Sequence, residues 1–114
     1  MTNKEVGRIG DSPLVGAGVY ANDATCAVST TGTGEHFIRG CIAHDVHARM
    51  RHGGRSLDDA VLASLAEALE PIGGRGGLVA VDSRGRLSLR FNSTGMYRAW
   101  VREGEAPLAA IFHA

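Results

Sequence analysis

Apolar positions recur along this chain at two periods, and the switches between them mark the elements. Ile38, Ile42 and Val46 stand four apart, with Phe37, Cys41 and Met50 beside them. That spacing predicts one amphipathic helix over residues 35–52, ended by Gly53-Gly54. Ser56-Leu57-Asp58-Asp59 is a capping-box-like start with Asp in place of the commoner Glu. Leu57, Val61, Leu65 and Leu69 then form a second stripe, which Pro71 and Gly73-Gly74 stop. The short connection predicts an antiparallel helix pair.

On either side of the helices the pattern is that of strands. Residues 14–21 are a Gly/Ala-rich run ending in Val19-Tyr20, read as a strand. Asn22-Asp23 is read as a hairpin turn, and residues 24–29 as the returning strand. Residues 77–82 form a third strand and Ser83-Arg84-Gly85 a turn. Residues 86–91 return with Leu87, Leu89 and Phe91 on one face and Arg86, Ser88 and Arg90 on the other. Residues 96–101 are a strand or an extended arm, and residues 108–112 a last apolar stretch. The order is β-β-α-α-β-β and a tail. The economical fold class is α+β, two helices packed on an antiparallel sheet. Residues 1–13 are polar, glycine-containing loop without periodicity.

Composition narrows the function classes. A chain of 114 residues is one domain at most, with a modest core. Twelve basic residues balance twelve acidic ones, so nothing draws the chain to nucleic acid or to a charged membrane surface. No apolar run reaches transmembrane length and no secretory signal is visible, so a cytoplasmic location is expected. Cys26 and Cys41 lie in apolar patterns and are expected as buried free thiols.

Three groups of residues invite chemistry. Thr30-Thr31-Gly32-Thr33-Gly34-Glu35 joins a strand to a helix start through small residues. Such a turn can aim hydroxyls and backbone N–H groups at a carboxylate or a developing oxyanion. It can equally be an ordinary helix start capped by Thr31 or Thr33, which the local sequence favours. Arg8 and Asp11 lie three apart in a glycine-flanked loop. Together they can read a zwitterion, the guanidinium taking an α-carboxylate and the carboxylate an α-ammonium, or they can pair with each other or face water, which spacing alone favours. His44 and His47 stand at helical spacing but lack the further ligands a zinc site needs, so no metal and no cofactor is expected. Gly16-Ala17-Gly18-Val19-Tyr20-Ala21 matches the dinucleotide fingerprint only in letters, since Pro13 precedes it and Asn22-Asp23 follows.

Taken together, Met1-Thr2-Asn3-Lys4, the block from Gly7-Arg8-Ile9-Gly10-Asp11-Ser12-Pro13 through Gly16-Ala17-Gly18, then Thr31-Gly32-Thr33-Gly34-Glu35, then Gly95-Met96-Tyr97-Arg98-Ala99-Trp100, resemble one family, over about Met1 to Trp100. It is the plant-type asparaginase / isoaspartyl peptidase family of N-terminal nucleophile hydrolases. The resemblance implies a four-layer αββα sandwich, made as a precursor that cleaves itself into an α and a β subunit. It also implies a threonine nucleophile at the new β-subunit N-terminus, attacking the side-chain amide of asparagine or of a β-aspartyl peptide. Arg8 matches the residue that binds the substrate α-carboxylate and Asp11 the residue that binds its α-amino group. Thr31 and Gly32 match the oxyanion-hole pair, and Gly34 a residue whose carbonyl helps hold the substrate.

By the same resemblance, residues 1–114 correspond to a single partial domain from the later part of a β subunit. The nucleophilic threonine and the α subunit are expected outside this stretch. Thr2 aligns just past the turn that follows the nucleophile strand, so it is not expected to substitute. The expected partners are a small amino acid or β-aspartyl dipeptide, and an α subunit or full-length relative, in an oligomer. The alternative is a non-catalytic binding or assembly partner of such a relative.

Overall fold

The computed structural model describes residues 4–113; Met1, Thr2 and Asn3, and with them the expectation for Thr2, lie outside the described residues. Four antiparallel strands form one sheet in the order β1 (Val19–Ala21), β2 (Cys26–Gly32), β3 (Gly76–Asp82), β4 (Leu87–Phe91). Between β2 and β3 the chain builds a helical layer: α1 (Gly34–Gly40), α2 (Ile42–Arg51) and α3 (Leu57–Ser64). A π turn at Leu65–Leu69 and a 3-10 turn at Glu70–Ile72 extend α3. A separate hairpin, β5 (Arg98–Trp100) with β6 (Leu108–Ala110), follows the sheet. This is the α+β partial sandwich expected, one sheet with helices on one face.

The core lies between that face and the helices. Val28, Leu78 and Ala80 from β2 and β3 meet Phe37, Ile42, Val46, Val61 and Leu69, and Phe37, Ile42 and Leu69 are fully buried. Each large apolar side chain removed from water contributes about 1.5–3 kcal/mol. Ser56 starts α3 as expected, its hydroxyl accepting from the Asp59 N–H at 3.3 Å. Asp58 binds Arg90 through both carboxylate oxygens (2.9 and 2.6 Å) and accepts from the Ser88 hydroxyl (2.7 Å), tying α3 to β4. Arg90, then burial, then Ser88 act on the Asp58 carboxyl, and the net effect is a pKa below its usual range.

Four readings are corrected. The helix expected over residues 35–52 is two helices, because Cys41 adopts a left-handed backbone (φ 46°) and turns the chain. The turn lets the first free N–H groups of α2, on Ala43 and His44, bond to the carbonyls of Ala17 and Gly16 (3.2 and 2.9 Å). A helix start needs such partners, and apolar spacing does not report them. Cys41 is consequently exposed, while Cys26 is buried; both are free thiols. The strand expected over residues 14–21 is extended only at Val19–Ala21. Residues before it turn to reach α2, with Gly16 at φ +95°. The hairpin turn is longer than two residues, closed by Asn22 and Thr25 bonds before β2 begins at Cys26.

The opposite sheet face is bare of helices. Cross-strand partners Ala21–Ala27–Val81–Leu87 and Val19–Ser29–Val79–Leu89 share it, and Val19, Val79 and Val81 are exposed. The Leu87/Leu89 face of β4 therefore points away from the helices, and the Ser88/Arg90 face toward them. Trp100 and Ala99 of the hairpin border this surface.

His47 is buried on α2, its Nδ1 sharing a 2.6 Å hydrogen bond with the Thr25 hydroxyl. Burial, and then the neighbouring charge of His44, hold its pKa below the ordinary 6.5. Below that value the unfolded chain takes up a proton that the folded chain resists. Stability is therefore full above pH 6.5 and falls as the pH drops below it. Urea titrations at about pH 7.5 and about pH 5.5 are expected to show a lower midpoint at the acid value, and His47→Gln to shrink the difference.

Candidate functional site

The loop before β1 reaches the end of β2 and closes a cavity there. Gly7 and Gly10 take left-handed backbone (φ +87° and +76°) and fold the loop. The Lys4 ammonium donates to the Ile9 carbonyl at 2.7 Å, tightening it. Asp11 is carried inward and buried at 6% exposure. The Thr30 hydroxyl donates to Asp11 Oδ2 at 3.0 Å, and the Thr30 N–H donates to the Gly18 carbonyl at 2.9 Å. Two glycines make room for that carboxylate. A Cβ on Gly18 would lie 2.1 Å from the Asp11 carbonyl oxygen, and one on Gly34 would lie 2.9 Å from Asp11 Oδ1. The Gly-Ala-Gly run thus serves packing and not a dinucleotide.

Opposite Asp11, β2 ends in Thr31 and Gly32. Gly32 (φ +139°) pairs with Gly76 (φ +151°) across the sheet. A Cβ on Gly32 would meet the Arg75 carbonyl at 2.4 Å and the Phe37 ring at 2.9 Å. The cross-strand glycine pair lets the two backbones and the buried Phe37 ring approach this closely. α1 starts at once, with Thr33 in the cap position but no side-chain cap bond. Thr33 therefore starts the helix without the hydroxyl bond of an ordinary threonine cap. With seven residues α1 is short, and positive charge at the cavity comes from Lys4 and Arg8.

The five residues matched by the resemblance, Arg8, Asp11, Thr31, Gly32 and Gly34, all line this cavity, joined by Lys4; His44 and His47 do not. Arg8 and Asp11 do not pair with each other. Arg8 forms an ion pair with Glu35 of α1. The hydrogen bond and the charge of Glu35 raise the Arg8 pKa, and Arg8 in turn lowers that of Glu35. Sequence reasoning missed Glu35, Thr30 and Lys4. Glu35 and Thr30 stood inside the quoted turn, but only the fold brings the loop against them. The cavity holds about 20 Å³, room for one water-sized probe. A second cleft of about 610 Å³ shares Thr31 and Gly32 with it.

A family model described as asparaginase matches residues 1–111. The chain belongs to the asparaginase family. It is 57% identical over 112 residues to an isoaspartyl peptidase of Salmonella typhimurium, and 54% identical over 112 residues to one of Escherichia coli. These alignments cover 98% of this chain and 36% and 35% of the relatives. A probable isoaspartyl peptidase/L-asparaginase of Arabidopsis thaliana is 46% identical over 103 residues, 90% of this chain and 31% of the relative. This asparaginase-family chain therefore spans about a third of the length of the curated relatives it matches.

The histidine pair does other work. His44 and His47 lie 5.3 Å apart and both rings pack at 5.0 Å on Tyr20. Among the described residues no group of three or more His, Cys, Asp or Glu is placed to hold a metal ion.

The wedge at Asp11 is testable. Gly18→Ala must displace the Asp11 backbone, so the variant is expected to lose about 1–3 kcal/mol or more, read as a lowered urea midpoint. Gly73→Ala, where an added Cβ meets nothing within 4 Å but φ is +78°, carries backbone strain alone and is the comparison.

Proposed function

We propose that this chain is the substrate-binding part of an amidohydrolase that cleaves the side-chain amide of L-asparagine or of β-aspartyl peptides. The observation that carries the reading is the convergence of Arg8, Asp11, Thr31, Gly32 and Gly34 on one small cavity. A guanidinium and a buried carboxylate on one wall suit the α-carboxylate and α-ammonium of one amino-acid head group. The Asp11 carboxylate is already oriented by Thr30, so its acceptor geometry is set before a ligand arrives. The Gly34 carbonyl adds an acceptor. The Thr31 hydroxyl and the Gly32 N–H are the donors for the amide oxygen as it gains charge. One well-placed donor of this kind is worth about 2.7–4 kcal/mol in the transition state.

The nucleophile in this reading is an N-terminal threonine outside residues 1–114. Its oxygen attacks the side-chain carbonyl carbon, its amine takes the proton, and ammonia or the amino-acid amine leaves. The 20 Å³ cavity is smaller than the head group, so Arg8 swings off Glu35 to admit it. That exposed ion pair is a weak restraint, since solvent screens it.

A second reading, assembly with a full-length relative, draws on the bare sheet face. Exposed valines there and an open edge at β4 favour association with more protein. In a sandwich of the expected kind, a further sheet would cover this face. Two free thiols suit a reducing, cytoplasmic setting, and among the described residues no helix is long and apolar enough to cross a membrane.

In calorimetric titration of the 114-residue chain with L-aspartate, Arg8→Ala and Asp11→Asn are each expected to weaken binding about tenfold or more. Unchanged affinity in both variants would remove the head-group assignment. The chain alone is expected to release no product from a β-aspartyl dipeptide. Sedimentation velocity is expected to find oligomers, reduced by Val79→Lys on the bare face.

A further inference from the structure

The 610 Å³ cleft beyond Thr31 and Gly32 has a chemistry of its own. Its volume is that of a ligand site. Among the described residues, Arg75 is its single charged lining residue and no carboxylate lines it. Among the described residues the Arg75 guanidinium makes one long hydrogen bond, 3.4 Å to the Gly74 carbonyl, and no ion pair. Opposite lies an apolar wall of Met96, Tyr97, Ile111 and Phe112.

That wall is held in place. The Met96 N–H donates to the Ile111 carbonyl at 2.8 Å. Arg98 donates to the carbonyls of Ile111 and Phe112, both at 3.1 Å. The Phe112 ring rests against Gly95, where a Cβ would come within 3.1 Å of it, and Met96 covers Gly77. The tail is thus fastened over the cleft by main-chain and arginine bonds.

Thr31 and Gly32 belong to both the small cavity and the cleft. A molecule whose head group sits at Arg8 and Asp11, and whose amide lies at Thr31 and Gly32, continues into the cleft. Free asparagine has nothing to place there. A β-aspartyl dipeptide places its second amino acid there, with a free α-carboxylate and a side chain. We propose that the cleft is the subsite for the amino acid released from a β-aspartyl dipeptide, with Arg75 binding its carboxylate and Met96, Tyr97 and Phe112 favouring an apolar side chain. This rests on the head-group reading of the small cavity and names the substrate class of the same site. Arg75 is a specificity-determining residue here, since it meets only the leaving amino acid.

The test compares three probes by calorimetry on the 114-residue chain: L-aspartate, β-aspartyl-leucine, and β-aspartyl-leucine with its C-terminus amidated. The free-acid dipeptide is expected to bind about tenfold or more tighter than the other two. Arg75→Gln is expected to cancel that advantage, leave L-aspartate within about twofold, and be partly rescued by Arg75→Lys. The Arg75 side chain is exposed, so these variants keep the fold. Equal affinity for all three probes, or a dipeptide advantage that survives Arg75→Gln, overturns the cleft assignment and leaves the head-group site standing. Binding of none of the three overturns the head-group reading, and this one with it.

Discussion

The site depends on one buried carboxylate. Asp11 stands at the tip of an irregular loop, and a loop placed at a sheet end needs an anchor to hold a shape. The anchor is the Thr30 hydroxyl at 3.0 Å, together with the backbone contact that only a glycine at position 18 permits. A carboxylate taken this far from water costs free energy unless it is bonded. Asp11 keeps the second oxygen next to Gly34 and the cavity. The loop, the end of β2 and the start of α1 are therefore fixed relative to one another by the group that is also proposed to read the ligand.

Much of this was legible in the residues and some of it was not. Helical stripes such as Leu57, Val61, Leu65 and Leu69 announced α3 and its extension, because a buried helix face must repeat every three to four positions. The alternation in β4 was equally plain, yet it gave no direction. Leu87 and Leu89 look outward, and Asp58 of α3 holds Ser88 and Arg90 on the inner face. The break at Cys41 left no mark, since its cause is the docking of α2 onto carbonyls of a distant loop.

The site residues came from motif matching more than from spacing. By spacing alone, Arg8 and Asp11 looked like partners, and the fold gives each a different one: Glu35 for the arginine, Thr30 for the carboxylate. Partner exchange of this sort is decided by which elements meet in space. A sequence pattern local to the loop carries no trace of it. The left-handed glycines at positions 7 and 10 are the local sign that the loop is shaped, and they were visible as letters without a conformation.

The central ladder has a kinetic consequence. β2 and β3 pair along their full length, Cys26 with Asp82 through Gly32 with Gly76, although the entire helical layer lies between them in the chain. Such pairing pays its loop-closure entropy before any contact rewards it, which slows folding relative to a bundle of local contacts. The Gly32–Gly76 rung is the shortest of these closures in sequence; both its glycines line the larger cleft, and Gly32 lines the small cavity as well. Zippering that begins at this rung would shape the ligand pocket early, with the distal rungs closing after it.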